Sequence, residues 1–215
     1  MHLAKILTKH IVLKIAYIGA FALRRICVFC GASTGSKEVY QEAAVAMGKT
    51  LADNKIDLVY GGGNKGLMGL VADATIDNGG RAFGVIPKAL VDKEEAHTRL
   101  SEQFVVNTMH ERKMMMATLS DGFIAMPGGF GTLEEFIEII TWAKLGFHQK
   151  PCALLNINNF YDGLLTYFDQ LVDEGFVKPK MRDLVLTGET PASVLDAMQN
   201  FVPLEVAPIL QEGDI

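Results

Sequence analysis

The chain has 215 residues, of which 49% are hydrophobic and 21% charged, with a formal net charge of −5. That length holds one sizeable domain and is short for two, and the apolar share supplies a well-covered core. The acidic balance argues against a nucleic-acid surface. Three cysteines, Cys27, Cys30 and Cys152, cannot form a closed disulfide set. Cys27 and Cys30 form a Cys-x-x-Cys, but they lie in an apolar run that reads as a strand. Residues three apart on a strand face opposite sides, so the pair shares no metal or redox site. No second Cys pair or His-x-x-x-His completes a zinc site. All three read as reduced thiols of a cytoplasmic protein.

Residues 1–22 form an extension. Lys5, Lys9 and Lys14 precede an apolar run ending in Ala20-Phe21-Ala22, a pattern shared with secretory signals. Against that reading, Arg24 and Arg25 would follow the cut at once, and the first core strand starts directly after them. The run is also shorter than the about 20 residues that span a bilayer. A signal stands against a non-native or upstream start or an added surface segment.

From residue 25 onward apolar runs and helical patterns alternate. A strand at 25–30 ends in Gly31-Ala32-Ser33-Thr34-Gly35-Ser36, and Ser36 is placed to cap a helix from 38 to 53. A strand at 57–60 leads through Gly61-Gly62-Gly63-Asn64-Lys65-Gly66 into a helix at 67–77, which Gly79 and Gly80 stop. Strands are expected at 81–86 and 104–106, followed by a helix at 110–119. The apolar run 122–126 is a fifth strand and 152–156 a sixth. Helices at 161–174 and 191–198 complete the domain, and residues 201–215 read as a tail. The expected fold class is α/β: a Rossmann-like parallel sheet with helices on both faces, in a single domain over residues 23–200. In such sheets ligands bind beyond the carboxyl ends of the strands, where loops 31–36, 61–66 and 127–132 lie.

Pro127-Gly128-Gly129-Phe130-Gly131-Thr132-Leu133-Glu134-Glu135 follows the fifth strand and precedes helical apolar spacing at 136–142. Gly128, Gly129 and Gly131 can take positive φ and carry no Cβ to block a ligand. The helix behind them offers unpaired N–H groups and partial positive charge, which suit a phosphate, and Thr132 adds a hydroxyl donor. The plain alternative is a glycine turn with Glu134 and Glu135 favouring the helix start. Gly61-x-Gly63-x-x-Gly66 has the form of a dinucleotide fingerprint. It follows the second strand rather than the first, and the region near 84–87 is apolar where an acidic strand end is needed. A phosphate contact or a close backbone approach fits Gly61, Gly62 and Gly63 better than NAD does. Ser33 is a further candidate on these nucleotide loops. No P-loop and no Gly-x-Ser-x-Gly is present. Met109-His110-Glu111-Arg112-Lys113 opens a helix with two cations, which oppose the macrodipole and so point to an anion. Arg suits bidentate contact with phosphate or carboxylate. A solvated charged face is the alternative.

These stretches together resemble the LOG ("Lonely guy") family of cytokinin riboside 5′-monophosphate phosphoribohydrolases, many once labelled lysine decarboxylases. Residues 127–135 match its Pro-Gly-Gly-x-Gly-Thr-x-x-Glu signature. The similarity extends to residues 27–33, Tyr60-Gly61-Gly62-Gly63, Gly66-Leu67-Met68-Gly69, Gly84-Val85-Ile86-Pro87, Met109-His110-x-Arg112-Lys113 and Thr141-Trp142-Ala143-x-Leu145-Gly146. It runs in order over residues 25–200 and leaves the extension outside.

The resemblance implies a Rossmann-like homodimer with active sites near the interface. It implies hydrolysis of the N-glycosidic bond of a nucleoside 5′-monophosphate, giving free base and ribose 5-phosphate. By the same resemblance Arg112 and Glu135 are the catalytic pair. Lys113, Gly128, Gly129, Phe130, Gly131, Thr132, Leu133, Glu134, Thr141 and Glu94 contact substrate, with Glu94 in a more loosely matching segment. The chemistry agrees with the residue types. Breaking this bond builds positive charge on the ribose, and a carboxylate stabilises that charge or activates a water. No metal or cofactor is expected. Lysine decarboxylation would call for pyridoxal phosphate on a Schiff-base lysine; Lys65 and Lys113 lie near the loops, but no second domain is evident to enclose it. The expected substrate is N6-prenylated AMP. Plain AMP and a non-catalytic nucleotide-binding role are the rivals, with neither nucleic acid nor membrane as partner.

Overall fold

The computed structural model describes residues 22–91 and 96–204. The expectations for residues 1–21, for Glu94 and for residues 205–215 lie outside them. In chain order the elements are β1 (Arg25–Phe29), α1 (Glu38–Asp53), β2 (Asp57–Tyr60), α2 (Gly66–Asp77), β3 (Ala82–Pro87), β4 (Glu102–Val106), α3 (Met109–Leu119) and β5 (Gly122–Ala125). There follow α4 (Phe130–Leu145), β6 (Cys152–Leu155), α5 (Asp162–Asp173), the short α6 (Pro179–Arg182), β7 (Val185–Gly188) and α7 (Pro191–Gln199). The strands form one sheet in the order β4-β3-β2-β1-β5-β6-β7, and every pairing is parallel. The chain winds outward from β1 to β4, then returns to the other side of β1 at β5. That reversal opens a crevice between the carboxyl ends of β1 and β5.

Alternation along the strands divides the core into two layers. Ile26, Val28 and Cys30 pack with Met47 of α1, Val71 of α2 and Leu195 of α7. Cys27 and Phe29 pack on the other face with Met116 of α3 and with Phe136 and Ile139 of α4. The two cysteines therefore face opposite layers, and both are free thiols. Among the described residues no helix is long and apolar enough to cross a membrane.

Three details depart from the sequence reading. Ser36 does not cap α1: Lys37 holds the N-cap position and makes no side-chain cap bond. The strand β7 and the short α6 were not expected; Val185–Gly188 is too brief an apolar signal to stand apart from its turns. Helix α4 begins at Phe130, well before its apolar spacing at 136–142. Its first turn borders a cavity instead of the core, so nothing requires that turn to be apolar.

His148 ties the interior of α4 to the segment that leads into β6. Its Nε2 donates to the Ile139 carbonyl at 3.0 Å, and its Nδ1 accepts from the Lys150 N–H at 3.1 Å. Burial pushes the imidazole pKa down to about 4, against a smaller upward pull from the Ile139 carbonyl. The folded chain thus keeps His148 neutral where the unfolded chain protonates it. Its stabilising contribution is complete above pH 6.5 and is lost as pH falls from 6.5 toward 4, by about 3 kcal/mol. Thermal melts from pH 7 to 4.5 should show a shallower decline in His148→Gln than in the parent; equal slopes would remove His148 as the cause.

Candidate active site

Gly31 stitches three loops together. Its N–H donates to the Pro127 carbonyl at 3.1 Å, which ties the loop after β1 to the loop after β5. Its carbonyl accepts from Leu67 N at 3.0 Å and Met68 N at 3.4 Å, which ties it to the start of α2. Two amides at the α2 N-terminus are therefore bonded to protein. Gly66 has φ +61°, and a Cβ there would lie 2.3 Å from the Ala32 carbonyl carbon. Of the two roles open to loop 61–66, the structure displays the close backbone approach. Tyr161 fixes the other side: its hydroxyl donates to the Met126 carbonyl, next to Pro127, at 2.6 Å.

Above these loops lies a cavity of about 540 Å³. Ser33, Gly129, Gly131, Thr132, Glu134, Glu135 and Arg112 form its polar wall, and Met68, Leu90 and Met109 its apolar wall. Gly128, Gly129 and Gly131 do not use positive φ, contrary to expectation; the loop turns without it. Their value is steric. A Cβ at Gly128 would lie 2.1 Å from Thr132 Oγ1, whereas Gly129 and Gly131 have nothing within 4 Å of that position. The last two therefore leave open space for a ligand at the α4 N-terminus.

Arg112 is only 6% exposed. Thr108 caps α3 by accepting from Glu111 N at 3.1 Å, and the Arg112 side chain reaches across to the Gly61 carbonyl, to which Nη2 donates at 3.2 Å. Its Nε is buried and has no hydrogen-bond partner among the described residues. Glu135 is half-buried on the second turn of α4. Burial first, and then the charge of Glu135, push the thiols of Cys27 and Cys30 up, so Cys30 is a neutral part of the cavity wall.

Lys113 takes a different path. Its ammonium lies 2.5 Å from Glu134 Oε1 and 3.0 Å from Glu138 Oε2, both on α4. Burial pulls its pKa down, but hydrogen bonds and charge from the two glutamates outweigh that and leave it raised. A carboxylate such as Glu134 beside a phosphate would be costly alone; the ammonium neutralises it. Both cations are buried, so the solvated-face alternative does not describe them.

A family profile described as "Possible lysine decarboxylase" matches residues 68–198. The chain is 48% identical over 180 residues to the cytokinin riboside 5′-monophosphate phosphoribohydrolase LOG3 of Arabidopsis thaliana, covering 84% of each chain. It is 49% identical over 180 residues to the cytokinin riboside 5′-monophosphate phosphoribohydrolase LOG of Oryza sativa subsp. japonica, covering 84% of this chain and 74% of that one. The chain belongs to the LOG family. Among solved structures it is similar to a molybdenum cofactor binding protein from Rippkaea orientalis, with TM-score 0.61 and 20% identity over 81% of this chain and 94% of that one. It is similar to the molybdenum cofactor carrier protein of Chlamydomonas reinhardtii to the same degree, TM-score 0.61 and 20% identity, over 80% and 94%. At that identity the likeness concerns the fold alone.

Not every residue of the LOG pattern lines the cavity. Gly61, Gly62 and Gly63 lie buried behind Arg112. Gly128 borders a smaller crevice shared with Tyr40 and Phe160. Leu133 packs toward the core, and Phe130 points outward with 92% of its surface exposed. Thr141 is exposed, bonds back to the Ile137 carbonyl and lies in a separate crevice between α4 and α5. Met68, Leu90 and Met109 were missed, because an apolar residue on a cavity wall carries the same local signal as one in a core. Among the described residues no group of three or more His, Cys, Asp or Glu is placed to hold a metal ion.

Proposed function

We propose that this protein hydrolyses the N-glycosidic bond of N6-prenylated adenosine 5′-monophosphate, releasing the free cytokinin base and ribose 5-phosphate. One observation carries the reading: Arg112 and Glu135, 23 positions apart in sequence, meet on a cavity that also holds the first turn of α4. Gly129, Gly131, Thr132 and Ser33 receive the 5′-phosphate at the helix N-terminus. The ribose then lies against Glu135, whose carboxylate stabilises the oxocarbenium-like state or draws a proton from the attacking water. Water adds at C1′ as the bond to the purine nitrogen breaks; the base leaves with that electron pair and takes up the proton released from the water, so the free base is neutral and Glu135 returns to its carboxylate. Arg112 orients the sugar or phosphate through its buried guanidinium. Met68, Leu90 and Met109 give the N6 substituent an apolar wall, which favours prenylated AMP over plain AMP. Relatives named as cytokinin riboside 5′-monophosphate phosphoribohydrolases support the reaction.

The active form in this reading is a cytoplasmic homodimer. Met109 and Met114 on α3 and Phe130 and Ile137 on α4 are exposed large apolar side chains, and Met109 also lines the cavity. A second copy covering them would bring both cavities to the interface and give the outlying Thr141 a neighbour. Light scattering checks the mass against twice 23.5 kDa; a monomer with full activity would refute the dimer.

The reaction is tested by chromatography of products after incubation with AMP and, separately, N6-isopentenyl-AMP. Free base plus ribose 5-phosphate is expected from both, faster from the prenylated nucleotide. Faster cleavage of AMP would make the protein an AMP nucleosidase. No base from either, with the protein folded, would leave a nucleotide-binding role.

A further inference from the structure

The two carboxylates that hold Lys113 are not equivalent. Glu134 is on the cavity wall, and its side chain is 55% exposed. Glu138 lies one turn further along α4, away from the wall, and its side chain is 26% exposed. Its Oε2 is buried and lies 3.0 Å from the ammonium as an ion pair, without hydrogen-bond geometry, whereas Glu134 Oε1 accepts a hydrogen bond from the same ammonium. The ammonium therefore stands one contact from the cavity, with the more exposed carboxylate on the cavity side and the less exposed one further along α4. A phosphate dianion at the α4 N-terminus would meet Glu134, which lines the cavity, before Glu138, which is not among the lining residues.

We propose that Glu138 is a positioning residue: it tethers the Lys113 ammonium to α4, and the tether sets how tightly the site grips the phosphate. The inference rests on the phosphoribohydrolase reading above. The triad of one ammonium and two carboxylates is net negative, so an incoming phosphate meets a cation already neutralised. Ribose 5-phosphate keeps the same phosphate as the substrate. Grip that is equal for substrate and product does not speed the chemical step, and grip that is too strong delays release. Glu138 holds the ammonium back from that excess.

Glu138→Gln preserves shape and removes one negative charge. Inorganic phosphate and ribose 5-phosphate should then bind about tenfold more tightly, the worth of a charge-assisted contact made available. KM for the nucleotide should fall, and kcat should fall with it as product release slows. A merely structural role for Glu138 would loosen the site and weaken phosphate binding, the opposite direction. Glu138→Asp keeps the charge at a longer reach and should lie between the parent and the Gln variant. Calorimetric titration with inorganic phosphate reads the tether without turnover. If the parent cleaves no nucleotide, the functional reading fails while the titration still decides the tether. Unchanged or weaker phosphate affinity in folded Glu138→Gln overturns the proposal. If that variant does not fold, parent-like phosphate affinity in Glu138→Asp overturns it instead.

Discussion

Glu135→Gln should leave a folded protein that still binds AMP but cleaves nucleotide at least about 10³-fold more slowly. The amide has nearly the shape of the carboxylate, so the change removes charge and basicity with little repacking. Glu135 is half-buried, and its charge is felt by two fully buried thiols, Cys27 and Cys30. Its field thus acts in a poorly screened environment, where a charge facing the developing oxocarbenium is worth more than in water. In the proposed mechanism this interaction is stronger in the transition state than in the ground state, so the loss belongs in kcat with KM nearly unchanged. Steady-state kinetics with calorimetric AMP binding checks both halves. Activity within tenfold of the parent would sink the assignment of Glu135.

Gly61→Ala should cost about 10²-fold in kcat/KM while moving the melting temperature by only a few degrees. The added Cβ would lie 2.1 Å from Arg112 Nη2 and 3.0 Å from Met68 Sδ. Both are ends of flexible side chains, so the guanidinium moves and the backbone need not. It would give up its bond to the Gly61 carbonyl and its aim into the cavity. In the parent, Nη2 of this buried cation donates to the Gly61 carbonyl and Nη1 to Met109 Sδ, while Nε has no hydrogen-bond partner among the described residues. Circular-dichroism melts beside kinetics separate the two effects. Full activity would show that the position of Arg112 does not matter, and a collapsed melting curve would show that Gly61 serves folding.

Much of this architecture is written locally. Buried parallel strands such as Gly122–Ala125 and Cys152–Leu155 read as continuous apolar runs, and glycine-rich turns mark their carboxyl ends. The nine residues from Pro127 to Glu135, with Arg112, Lys113 and the other matching stretches over residues 25–200, carry the resemblance to the family, and the resemblance nominates the catalytic pair. The alternation of Cys27 and Cys30 between layers followed from a strand's two-residue period alone.

Other features depend on which distant residues the packing brings together. The return of β5 to the free side of β1 places Arg112 and Glu135 on one cavity, and no local pattern states that strand order. The loop at Gly61 resembles a nucleotide fingerprint, yet its neighbours in space make it a seat for Arg112. The anions that Lys113 meets are Glu134 and Glu138, on a helix that begins only after the next strand. Local pattern reflects backbone preference and burial, which each residue carries along the chain. Pairing of charges and the walls of a cavity reflect through-space distance, and only the folded sheet with its two helical layers sets that distance.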